Sequence, residues 1–198
     1  MGANISWCKS IGETPVIDYI KSCDNKTLIS VGSGRGSLEH KIKTALNIDV
    51  ICIDPSPESF QGQSSDIEIK PDFSYVNDLI EFEPKFVNNC NLLLCWPLPN
   101  DSQYDISAII DLKPQNIILI YETTGGSGGT VLLNWLKTIP GIPEENSIWI
   151  KNIDSSNQEL YNLALKLKYN YVKHISAPDH INSRNNQVLH LKIDELMK

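Results

Sequence analysis

The sequence predicts a single α/β domain on a seven-stranded, mostly parallel sheet, doubly wound with helices on both faces and finished by a C-terminal antiparallel hairpin. Three observations predict it. Continuous apolar runs such as Leu92-Leu93-Leu94 and Ile117-Ile118-Leu119-Ile120 recur along the chain, the pattern of strands buried on both faces. Segments of helical spacing separate most of these runs, as in parallel β-α-β units. Near the end, two β-like runs at 169–176 and 187–193 flank a short link containing Pro178, Asp179, Asn182, Asn185 and Asn186. Those are turn formers, and the link is too short for a parallel crossover.

Each element has its own local reason. Thr14-Pro15 reads as an N-cap followed by proline at the first helical position, opening a helix through 16–20. Thr27-Leu28-Ile29-Ser30-Val31 is a buried strand that runs into the turn Gly32-Ser33-Gly34-Arg35-Gly36. A helix over 37–46 places Leu38, Ile42, Ala45 and Leu46 on one face. Residues 49–54 form the second strand, stopped by Pro55 and Pro57. Asp66-Ile67-Glu68-Ile69 alternates as a third strand, and 75–82 makes one or two helical turns. Then come a strand at 91–96, a helix at 104–112 and the central strand at 116–121. The glycine cluster 125–129 leads into a helix at 130–138; a short strand at 148–150 and a helix at 157–168 precede the hairpin. Residues 1–26 form an N-terminal helical segment, and 27–198 the domain proper.

Composition narrows the function classes. With 198 residues the chain suits one core. No apolar run approaches the ~20 residues of a membrane-spanning helix, and no signal-peptide pattern opens the chain. The net charge of −7 gives no general grip on a phosphate backbone. The segment 151–198 carries seven basic and five acidic residues, so a nucleic-acid partner would need a local patch there. Five cysteines, Cys8, Cys23, Cys52, Cys90 and Cys95, form no CxxC pair, which disfavours a zinc site or disulfide framework and points to reduced thiols in a cytoplasmic compartment. The histidines, His40, His174, His180 and His190, have no metal-ligand spacing. Met1-Gly2-Ala3-Asn4-Ile5-Ser6 satisfies the bare N-myristoylation pattern, with Cys8 nearby, and six residues specify little.

The chemistry-bearing residues gather after strands. Val31-Gly32-Ser33-Gly34-Arg35-Gly36 lies between a strand and a helix, where glycines let a ligand approach the backbone and the helix offers free N–H groups. The spacing is G-x-G-x-G, with Ser37 where a dinucleotide fingerprint expects Gly or Ala, and no Lys-Ser/Thr pair follows. That disfavours NAD, FAD and ATP phosphates. Asp54 ends the second strand 18 residues past Gly36, placed to accept from both hydroxyls of a ribose.

VGSGRGSLE followed by VICIDPSP resembles the first glycine motif and the following acidic motif of class I S-adenosylmethionine-dependent methyltransferases, a Rossmann-like fold. The stretch LLLCWPLPN to IILIYETTGGSGG is similar to a group of uncharacterised methyltransferase-like proteins. The resemblance implies S-adenosylmethionine as methyl donor and no metal. It implies that Gly32, Ser33, Gly34 and Gly36 pack against the cofactor and that Asp54 binds its ribose. Many members carry an acid two positions before the first glycine; here that place is Ser30, which offers a hydrogen bond to the methionine amino group but no charge. Asp72 would accept from the adenine amino group and Phe73 cover its face.

Cys95-Trp96-Pro97-Leu98-Pro99 sits where amino-methylating relatives carry Asn/Asp-Pro-Pro-aromatic, and it departs from that pattern. Trp96 either stacks on adenine or substrate or plugs the sheet edge. Glu122, before the glycine cluster, is the candidate base, and the cluster reads either as a substrate lid or as a mobile connection. Three functions follow: a methyltransferase of unknown acceptor, an inactive methyltransferase-like binding module, and an NAD-dependent oxidoreductase.

Overall fold

The computed structural model describes residues 13–24, 27–56, 70–95, 97, 103–122, 127–142, 157–176 and 186–194. The strands are β1 Thr27–Val31, β2 Asp49–Ile53, β3 Asn91–Cys95, β4 Asn116–Glu122, β5 Tyr169–Ser176 and β6 Asn186–Ile193. The helices are α1 Glu13–Lys21, α2 Ser37–Leu46, α3 Val76–Phe82, α4 Tyr104–Leu112, α5 Thr130–Leu136 and α6 Gln158–Ala164, with a 3-10 turn at Pro84–Phe86. They build one sheet in the order β2-β1-β3-β4-β6-β5. β1 pairs in parallel with β2 and β3, and β3 with β4. Among the described strands β6 alone is reversed, antiparallel to both β4 and β5. The short link predicted the antiparallel hairpin; it did not reveal that the last strand wedges between β4 and β5.

Of the seven strands expected, six stand among the described residues. Residues 66–69 and 148–150 lie outside them. Beside β2, Phe73 makes an isolated parallel bridge with Ile53.

Alternation along the strands sends side chains to two cores. Leu28, Leu93, Ile118, Ile120 and Val188 meet Val16, Tyr19 and Ile20 of α1 and Leu38 and Ile42 of α2. Ile29, Leu92, Leu94, Ile117, Leu119 and Leu189 meet the helices of the other face, where Trp135 is buried edge-on against Tyr169. α1 begins at Glu13, two residues before Pro15; a proline in the first turn removes an N–H that has no helical acceptor. On α2 the apolar face is rotated from its expected position: Ala45 is exposed and Glu39 is buried. The helices at 130–138 and 157–168 are shorter than their spacing implies, ending at Leu136 and Ala164.

Candidate functional site

β1 to β4 run in parallel, so Val31, Ile53, Cys95 and Glu122 end at one edge of the sheet, where doubly wound proteins build ligand sites. The glycine turn leaves β1 at that edge. Gly32 and Gly34 have φ of 76° and 56°, the left-handed region that glycine enters without a Cβ penalty. The turn is tied to β2: Gly32 N–H donates to the Ile53 carbonyl at 2.9 Å. Gly34 N–H donates to Asp54 Oδ2 at 2.8 Å, and Ser56 N–H to Oδ1 at 2.8 Å. Asp54 thus braces the turn, and each oxygen keeps a further lone pair directed away from these bonds. The sequence reading assigned it a ribose; the structure shows it holding the backbone of the turn.

Ser30, fully buried on the α2 face of β1, donates to Glu39 Oε1 at 2.6 Å. Burial pushes the Glu39 carboxyl above its usual range, against the pull of the Ser30 hydroxyl and its own N–H, and the Asp54 charge pushes the same way. Ser33 lies against the Cys52 thiol, which is pushed up to about 12, chiefly by burial. Cys23 and Cys90 are likewise pushed up to about 12 by burial, so these thiols stay protonated.

The loops after β3 and β4 are clamped together. Gln103 Oε1 accepts Val131 N–H at 3.0 Å, Asp105 Oδ2 accepts Gly129 N–H at 2.7 Å, and Gly128 N–H donates to the Pro97 carbonyl at 2.6 Å. Ser127, Gly128 and Gly129 are therefore buried, while 123–126 lie outside the described residues. Burial also raises the Asp105 carboxyl, opposed by the N–H groups of Gly129 and Ile106. Tyr104 leans across the gap to the glycine turn: a Cβ on Gly32 would stand 3.1 Å from its hydroxyl oxygen.

The remaining predicted residues are partly brought together. Asp72 is exposed, with Oδ2 accepting Cys52 N–H at 2.8 Å, so its carboxylate finishes the outer edge of β2. Phe73 is half-buried and packs on the Phe82 ring. Cys95 ends β3, half-buried against the α1/α2 core, and Glu122 ends β4. Trp96 and the Gly2–Cys8 pattern lie outside the described residues. Glu39, Gln103, Tyr104 and Asp105 were missed. Glu39 stands third in the helix after the turn, between the core residues Leu38 and Ile42, and that spacing was its only signal.

The sheet order and the reversed β6 give the chain a Rossmann-like α/β fold that it shares with solved class I S-adenosylmethionine-dependent methyltransferases. Among solved structures, the chain is similar to the PH0226 protein from Pyrococcus horikoshii OT3, at 11% identity and TM-score 0.52, over 96% of this chain and 90% of that one. It is similar also to the methyltransferase domain of bacterial CtHen1-C, at 13% identity and TM-score 0.52, over 93% and 98%. No protein-family model matches the chain, and no curated protein sequence matches it.

Proposed function

We propose that this chain is a methyltransferase that uses S-adenosylmethionine. The observation that carries the reading is the glycine turn of β1 held open by Asp54 of β2, at the carboxyl edge of a sheet of this order. The residues present suit the cofactor. The positive-φ glycines leave backbone that a ligand can approach, Asp54 retains acceptor capacity beside the turn, and a buried carboxyl at Glu39 lies behind it. When bound, the cofactor supplies a sulfonium methyl group to an acceptor nucleophile.

The protein's part is placement. The turn and Asp54 fix the donor side, while the clamped loops after β3 and β4 wall the side from which an acceptor enters. Holding two reactants in contact and alignment offsets about 7–11 kcal/mol of barrier. Glu122, at the end of β4, is the base for an acceptor that must first lose a proton. Incubating the purified protein with methyl-labelled S-adenosylmethionine and fractionated cell extract tests the reading. Label should appear in one acceptor fraction, and Glu122→Gln should lower turnover without changing cofactor affinity. Cofactor binding with no transfer to any fraction would refute the enzymatic claim.

A further inference from the structure

Behind the glycine turn lies a carboxyl group whose charge the fold does not use. Glu39 is 2% exposed. It accepts from Ser30 Oγ at 2.6 Å and from its own N–H. Among the described residues no cation acts on it, and the charge that does, Asp54, has the same sign. A position in the first turn of α2 favours an anion, but a neutral glutamine would accept the Ser30 bond without the desolvation cost of a buried charge. Its place is informative. Ser30 stands two residues before Gly32, so the carboxyl reaches from the helix to the strand position directly beneath the turn.

We propose that Glu39, oriented by Ser30, receives the ammonium group of the methionine moiety held at the glycine turn, its charge delivered from α2 rather than from β1. The assignment rests on the cofactor reading above. It has a consequence that a packing role would not have. Burial and Asp54 favour the neutral form of Glu39 in the free protein, and an arriving ammonium favours the ionised form. Ligand binding therefore releases a proton, and affinity rises with pH until Glu39 is already ionised. The titratable groups facing it are Asp54 and Cys52 from β2; Lys43, one turn along α2, acts on Cys52. The Cys52 thiol, at about 12, does not titrate in the same range.

Calorimetric titration of the full chain with S-adenosylhomocysteine and with its deaminated analogue, from acidic to neutral pH, tests this. Wild type should bind S-adenosylhomocysteine more tightly as pH rises, and the analogue with no such slope. Glu39→Gln should weaken S-adenosylhomocysteine about 10–100-fold, the range for a hydrogen bond to a charged group, abolish its slope, and leave the analogue unchanged. Ser30→Ala should give a smaller loss, again confined to the ammonium-bearing ligand. The wild-type comparison stands even where a variant fails to fold. Equal weakening of both ligands by Glu39→Gln, or the same pH slope for both in wild type, overturns the Glu39 assignment and leaves the cofactor reading intact. Failure of wild type to bind either ligand overturns the cofactor reading, and the assignment with it.

Discussion

Gly129→Ala separates the clamp between the two loops from a merely glycine-rich connection, because the two descriptions predict opposite signs. The backbone there is ordinary, with φ −68° and ψ 156°, so alanine fits it without torsional strain. If nothing else opposed it, alanine would stabilise the protein by about 0.4–1 kcal/mol by restricting the unfolded chain. In this structure the new Cβ meets Gln103 Oε1 at 2.6 Å and Asp105 Oδ1 at 3.1 Å. Both side chains are buried, and both oxygens already hold backbone N–H groups, Val131 for Gln103 and Ile106 for Asp105. Relief of the contact requires Gln103 to leave Val131, stranding a buried donor at about 1–3 kcal/mol. Set against the entropic gain, the net is a destabilisation of roughly 0–2.6 kcal/mol, centred near 1.3. Urea unfolding followed by far-UV circular dichroism measures it. A variant more stable than wild type would refute the clamp.

Other outcomes follow from the same contacts. Asp54→Ala leaves Gly34 N–H without its acceptor in a buried turn and should cost about 1–3 kcal/mol in urea unfolding, the exposed Ser56 N–H recovering water; a change within error would show that Asp54 does not brace the turn. Gly32→Ala meets both an unfavourable φ and the Tyr104 hydroxyl, so it should abolish S-adenosylhomocysteine binding in calorimetry; an unaltered isotherm would put the ligand elsewhere. The raised carboxyls of Glu39 and Asp105 set a pH dependence. Each binds its proton more tightly folded than unfolded, so neither costs stability below the unfolded value, and each costs progressively more as pH climbs from there through its folded value. Glu39→Gln should therefore gain on wild type as pH rises, by up to about 1.4 kcal/mol per pH unit in that window; melting curves that stay parallel from pH 4 to 8 would contradict the raised Glu39.

The sequence exposed what depends on short-range pattern. Glycines closing a continuous apolar strand, followed by helical spacing, marked the turn at 32–36, and a strand-ending acid marked Asp54. What it hid depends on contacts across the fold. Glu39 is charged and opens a helix, which by itself reads as a solvated acid near the positive end of the helix dipole. Only the packing of α2 on β1 shows the Ser30 hydroxyl beneath it. Gln103 and Asp105 act on residues 28 and 24 positions away, far outside any periodicity. The glycine cluster was legible as a flexible or a closely approached loop; which residues approach was not, and at Gly129 the missing side chain admits Gln103 and Asp105 at close range. β6 was legible as half of a hairpin; its insertion against β4 is set by pairing over 116–122, which no local signal encodes.

The central claim is that the glycine turn and Asp54 hold S-adenosylmethionine. Calorimetric titration of the purified chain with S-adenosylmethionine, S-adenosylhomocysteine and NAD tests it most directly. The account predicts saturable binding of both methionine-derived ligands at one site per chain and none of NAD, whose phosphates the G-x-G-x-G turn does not suit. No heat with either methionine-derived ligand, or saturable binding of NAD in their place, would contradict it.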